Sequence, residues 1–165
     1  MAKTQDDLMA AFAGESQANR KYTAFAEAAE KDGYKGVAKL FRAAAEAETI
    51  HALTEFRIAG HVNDTKANLK TAIDGETYEY TKMYPEFEAD AKAEGQKDAE
   101  RAFIRAKEAE KVHAELYQAA LDDISKGVNE ESDYYLCPIC GYIEKGKAPD
   151  SCPICKAKGS AFKKF

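Results

Sequence analysis

Two Glu-x-x-His tetrads, Glu48 to His51 and Glu110 to His113, stand 62 residues apart and interrupt stretches that otherwise read as apolar helix seams. Residues three apart on an α-helix project from nearly the same face, so each tetrad can aim one carboxylate and one imidazole at a metal inside a helical bundle. A lone charged glutamate in such a seam is costly, and the spacing therefore points to a two-metal site. A second constellation follows near the C-terminus. Cys137-Pro-Ile-Cys140-Gly and Cys152-Pro-Ile-Cys155, with eleven residues between the pairs, offer four thiolates at knuckle spacing. Four such sulfurs make a tetrahedral metal site, but sulfur ligation alone does not choose between zinc and iron. All four cysteines fall in the last 29 residues, so they cannot staple the rest of the chain and read as metal ligands.

Helices must carry the first constellation. From Thr4 to about Ala29, the residues Leu8, Phe12, Glu15, Asn19, Tyr22, Ala26 and Ala29 recur at alternating steps of four and three. Lys31 to Gly36 breaks this helix. A second, from about Val37 to Ile58, gathers Val37, Phe41, Ala44, Glu48, His51 and Ile58 on one side, and Gly60 ends it. Gly60 to Asn68 reads as a connection. Leu69, Ile73, Glu76, Tyr80, Met83 and Phe87 then define a third helix, which Pro85 is placed to kink. After a Gly-containing turn, Ala99, Phe103, Ala106, Glu110, His113, Tyr117, Ala120 and Ile124 keep the same rhythm through a fourth. Four helices make two hairpins, and the halves form a weak internal repeat.

In an antiparallel hairpin, residues equidistant from the turn meet at one height. Glu15 and Glu48 are equidistant from the first turn, as Glu76 and His113, and Glu79 and Glu110, are from the second. A single seam glutamate can be a flank residue, and a single seam histidine a satisfied core group. With His51 there are seven such residues at one level, and several carboxylates so placed would repel one another and take up protons unless a divalent pair neutralised them. Hard carboxylates with a few imidazoles favour iron or manganese. Tyr22 and Tyr84 are placed either to donate to the carboxylates or to pack as aromatic residues.

The domain layout follows: a four-helix bundle over residues 1–127, then an exposed linker and a four-cysteine mini-domain over residues 128–165. About 30 residues cannot bury enough apolar surface to fold unaided, so the metal must supply folding energy there. With 45% hydrophobic residues in 165 there is ample core for one main fold. The formal charge of -5, with basic residues scattered, argues against nucleic acid and anionic membranes as partners. No apolar run reaches the roughly 20 residues that cross a bilayer, and the N-terminus lacks a signal-peptide pattern. A cytoplasmic location is expected.

Taken together, Gly14-Glu15-Ser16-Gln17-Ala18, Glu48-Thr49-Ile50-His51, Glu76-Thr77-Tyr78-Glu79 before Met83-Tyr84-Pro85, Glu110-Lys111-Val112-His113 and the two CPIC knuckles resemble the rubrerythrins. The resemblance implies an all-α ferritin-like four-helix bundle with a small C-terminal rubredoxin-like domain, related in its ligand layout to zinc ribbons. It implies two irons bridged by Glu48 and Glu110, one bound by Glu15 and Glu79, the other by Glu76 and His113. His51 is then the surplus group. Family behaviour implies that one iron moves between Glu79 when ferric and His51 when ferrous. Cys137, Cys140, Cys152 and Cys155 would hold a third iron, with zinc as the alternative. Rubredoxin-like knuckles usually carry Gly after the second cysteine of each pair; Gly141 fits and Lys156 departs.

The expected activity is reduction of hydrogen peroxide to water in oxidative-stress defence. Tyr22, Tyr84 or a freed carboxylate would relay protons. Electrons would come from an external reductase or rubredoxin, since the chain shows no Gly-rich dinucleotide fingerprint. A ferritin-like ferroxidase and a non-catalytic zinc-ribbon interaction module are the competing readings. If the second and third helices run parallel, the path from Gly60 to Leu69 is stretched. A homodimer that exchanges helix hairpins is therefore expected, with the cysteine domain of one chain near the diiron centre of the other.

Overall fold

The structure, a computed structural model, describes residues 3–165. Met1 and Ala2 of the expected first domain lie outside the described residues. The helices are α1 (Lys3–Lys31), α2 (Lys35–Ile58), α3 (Thr65–Tyr78), α4 (Tyr84–Ala93) and α5 (Lys97–Ser125), with a π-helical turn, Glu79–Met83, joining α3 to α4. A small sheet follows, of strands β1 (Tyr134–Leu136), β2 (Ile143–Lys145) and β3 (Lys163–Lys164). The chain forms two compact units, Met1–Asn63 and Asp64–Phe165.

In the first unit α1 and α2 pack as a hairpin. Ala38, Ala45, Ala52 and Ala59 recur every seventh residue and are all buried, as are Ala26 and Ala29 on α1. Small side chains at that spacing let two helix backbones approach closely, so the hairpin is closed by alanine rather than by large aliphatics. Asn19 fixes its register: its side-chain amide donates to the Ala45 carbonyl at 2.6 Å and to the Thr49 hydroxyl at 2.8 Å.

In the second unit α3, the π turn and α4 run alongside α5. Asp64 caps α3, its carboxylate accepting from the Ala67 N–H at 2.9 Å. The two hairpins are versions of one pattern. Tyr22, Phe25, Gly33, Phe41, Glu48 and His51 correspond to Tyr84, Phe87, Gly95, Phe103, Glu110 and His113, each 62 positions later. Both turns close alike: Tyr34 N–H donates to Ala29 O and Gln96 N–H to Ala91 O, each at 2.8 Å, around glycines at φ 86° and 71°. Glu15 corresponds instead to Glu76, 61 positions later. The π turn absorbs the extra residue, with Tyr84 N–H bonded five residues back to Glu79 O. Where the sequence suggested a kink at Pro85, the structure has a widened turn just before it, and Pro85 sits in the first turn of α4.

The sheet has the order β2-β1-β3, antiparallel throughout, with Leu136 opposite Ile143 and Tyr135 opposite Lys164. Its fully buried side chains are Cys137 and Cys152, both 0% exposed. A core made of ligands needs its metal.

Candidate metal centres

Each unit brings its own carboxylates and imidazole level, as the sequence required within each hairpin. In the first, ligand atoms of Glu15, Glu48 and His51 lie within 4.8 Å of one another. His51 Nδ1 is 3.0 Å from Glu48 and 4.0 Å from Glu15. Glu15 shares a hydrogen bond with Glu48, which pushes its carboxyl above the usual range. Two carboxylates that meet without a cation must hold a proton between them.

In the second unit Glu76, Glu110 and His113 cluster in the same way. His113 Nδ1 lies 2.7 Å from Glu110 and 3.7 Å from Glu76. Burial, a hydrogen bond to Glu110 and the Glu110 charge push Glu76 up to about 7. Glu110 is lowered, chiefly by its bond to His113. His113 is raised: burial opposes its charge, but Glu110 and the Gly141 carbonyl outweigh it. Its Nε2–H donates to Gly141 O at 2.8 Å, which leaves Nδ1 as the nitrogen facing the carboxylates. Glu79 stands outside this three-residue group yet close enough that burial and the Glu110 charge raise it.

The aromatic candidates divide. Burial and the charges of Glu110, Glu79 and Glu76 raise the Tyr84 phenol, so its hydroxyl feels the whole cluster. The π turn explains this, because five-residue spacing puts Tyr84 on the face of Glu79. Tyr22 packs against Phe25 and Phe41, ring centroids 6.4 and 6.1 Å away, as Tyr84 packs against Phe87 and Phe103.

Two residues had escaped the sequence reading. Glu55 continues the Glu48–His51 seam one step further; its charge bears on Glu15, and its buried Oε2 has no hydrogen-bond partner among the described residues. The four-three rhythm carried that signal. Tyr117, at the equivalent position of the second unit, is raised by burial and by Glu76 and Glu110. The Gly141 carbonyl had no signal in the sequence at all.

The four cysteine sulfurs also lie within 4.8 Å of one another. Cys137 and Cys155, and Cys140 and Cys152, are each 3.5 Å apart at sulfur. A tetrahedral ion with bonds of about 2.3 Å needs sulfurs roughly 3.8 Å apart, so the set fits such an ion with little adjustment. Burial opposes ionisation of Cys152, yet the N–H groups of Cys155 and Ile154 bring it down to about 7. Burial pushes the Cys140 thiol well up. Backbone N–H groups aimed at sulfur suit a thiolate-bound metal. Carboxylate and imidazole in the helical clusters, and sulfur in the sheet domain, are donor sets that iron accepts.

The profile of the family described as rubrerythrin matches residues 6–121, and that of the rubrerythrin rubredoxin-like domain matches residues 135–163. Nigerythrin from Nitratidesulfovibrio vulgaris is 44% identical, over 94% of this chain and 83% of its own length. Rubrerythrin-2 from Clostridium acetobutylicum is 37% identical over 99% and 97%. Among solved structures, nigerythrin in its fully reduced, all-ferrous state is similar at a TM-score of 0.61 and 41% identity, covering 98% of this chain and 86% of that one. Its mixed-valence state gives 0.60 and 42% over the same shares. The helical hairpins with a C-terminal four-cysteine sheet thus match a ferritin-like, rubredoxin-like fold.

Proposed function

The chain belongs to the rubrerythrin family, and from that membership we propose that it is a non-haem diiron peroxidase reducing hydrogen peroxide to water. One observation carries the reading. His113 faces Glu76 and Glu110 through Nδ1 and bonds the Gly141 carbonyl, one residue after Cys140, through Nε2. A single imidazole therefore links the carboxylate cluster to the backbone next to Cys140, an arrangement that suits an electron path from the thiolate site to the carboxylate site. A storage protein has no use for that bond, and a zinc module no use for the carboxylates.

Two ferrous ions would supply the electron pair that splits the O–O bond, and the four-cysteine iron would return electrons singly from an NAD(P)H-linked reductase or a rubredoxin. The chain's own groups do the rest. Glu48 and Glu110 would be shared between the two irons, with Glu15 holding one and Glu76 and His113 the other. Glu79 and His51 alternate, the anionic oxygen suiting a ferric ion and the neutral imidazole a ferrous one. Tyr84, under the field of three carboxylates, would relay protons toward the departing water, and Tyr22, packed on Phe25 and Phe41, is its counterpart in the first hairpin. In this reading residues 1–127 are the diiron module and residues 128–165 the electron-feeding one. A cytoplasmic setting suits four cysteines that serve as metal ligands rather than disulfides.

Assembly follows from reach. If α2 and α3 lie parallel with Glu48 and Glu76 level, the stretches Glu48 to Ile58 and Thr65 to Glu76 together rise roughly 32 Å at ~1.5 Å per residue. The seven steps from Ile58 to Thr65 span at most about 25 Å. A level site then draws its two hairpins from two chains, in a swapped homodimer. Leu40, Ile50 and Ile58 on α2, 69, 60 and 67% exposed, provide apolar surface for that exchange. The expectation that the partner's cysteine domain serves the site changes in one respect: His113 is bonded by Gly141 of its own chain.

Stopped-flow reoxidation of the reduced protein by peroxide tests the activity. Reduced protein should regain its visible colour within the mixing experiment, and Glu79→Ala should slow this at least ~10-fold, by analogy with losses seen when groups around a metal are removed. Reoxidation no faster than in air-saturated buffer rejects the peroxidase; equal rates in the variant reject the ligand exchange.

A further inference from the structure

The two knuckles of the sheet domain are built to one plan. Gly141 N–H donates to Cys137 O at 3.1 Å and Lys156 N–H to Cys152 O at 3.0 Å. Cys137 N–H donates to Tyr142 O at 2.8 Å and Cys152 N–H to Ala157 O at 2.7 Å. The plan needs a left-handed residue after the second cysteine, and Gly141 supplies it at φ 81° without a Cβ penalty. The second knuckle supplies it with Lys156 at φ 65°, the one non-glycine residue with positive φ among the described residues. Backbone strain held at a position where glycine would serve marks a side chain with a task.

That side chain is exposed, yet it is tethered. Its Nζ donates to the Pro153 carbonyl at 2.9 Å, between the two cysteines of the same knuckle. The ammonium is thereby held on a neutral partner within the second knuckle. Two other cations of the domain are compensated by carboxylates: Lys145 pairs with Glu130 at 3.3 Å and Lys164 with Asp133 at 2.7 Å.

We propose that Lys156 is a positioning residue that sets the reduction potential of the four-cysteine iron, holding it above the value that glycine would give. The proposal rests on the reading that this site holds iron. Taking up one electron from the external reductase converts ferric to ferrous and adds one negative charge to the four-thiolate unit. No bond is made or broken. A cation held on the knuckle stabilises the more negative, reduced form, and charge is among the established determinants of such potentials.

The test is a redox titration of the visible thiolate-iron band in the iron-reconstituted full chain, with dithionite and mediators. Lys156→Arg should titrate as the wild type. Lys156→Gln, which keeps a donor but no charge, and Lys156→Gly, which also relieves the strained φ, should both shift downward. The expected shift is up to about tenfold in the one-electron equilibrium constant, or about 59 mV, narrowing as salt is raised. Glutamine at the wild-type potential overturns the proposal, and a shift in the glycine variant alone would assign the effect to the backbone and overturn it equally. Failure of every protein, wild type included, to form the band on iron reconstitution overturns the iron reading and this inference together; a band with equal potentials overturns only the inference.

Discussion

Glu76 and its neighbours set how the metal-free protein answers to pH. Its folded carboxyl titrates at about 7 against the ordinary 4.5, so between those values the folded state binds more protons than the unfolded one. Stability of the metal-free chain should therefore be greatest at the acidic end and fall as pH rises through that window. His113, also raised, acts in the same direction at the upper end, while the lowered Glu110 makes its contribution above 4.5 and loses it only on stronger acidification. A metal bound at this carboxylate would displace the Glu76 proton and reverse the slope. Thermal midpoints of the metal-free chain at pH about 5 and about 7 check this. A midpoint that rises with pH, or an unchanged slope in Glu76→Gln, contradicts the assignment. Glu76, Glu110 and His113 were all legible as ligand types, because helical spacing of three is a local property. That carboxylates brought level take up protons was legible too; which pair shares the proton was not, because it depends on how closely two helices pack.

At the scale of elements, helices and knuckles were read from periodicity, but the π turn was not. A four-three pattern has no symbol for an inserted residue, and the sequence placed Met83 in the seam where the widened turn brings Tyr84. The repeat held the clue, since Glu15 to Glu76 is one step shorter than Tyr22 to Tyr84. The sheet domain has a comparable constraint at Gly159, where an added Cβ would lie 1.8 Å from the Pro149 carbonyl oxygen. Gly159→Ala should displace the Pro149–Asp150 segment next to Cys152 and destabilise the domain by roughly 2 kcal/mol or more. The thiolate-metal band should then be lost to a chelator faster than in the wild type, while the helical far-ultraviolet melting transition stays where it was. Equal rates of loss would show that the segment gives way without cost.

For the whole molecule, the deciding quantity is the short connection between Ile58 and Thr65. The protein should run as a dimer at micromolar concentration in light-scattering chromatography. Inserting about ten flexible residues after Asn63 adds roughly 33 Å of reach and should raise the monomer fraction while iron content is kept. A wild-type monomer with its full iron complement would refute the exchange of hairpins. The sequence by itself determined the helices, the ligand types in each seam and the four-cysteine site, since all of these rest on spacings within a few residues. Tertiary structure alone decided the bond from His113 to Gly141, 28 residues on, the buried unpaired oxygen of Glu55 and the pinned ammonium of Lys156. Those depend on which surfaces meet and on what each buried polar atom finds there, and one-dimensional spacing does not encode either.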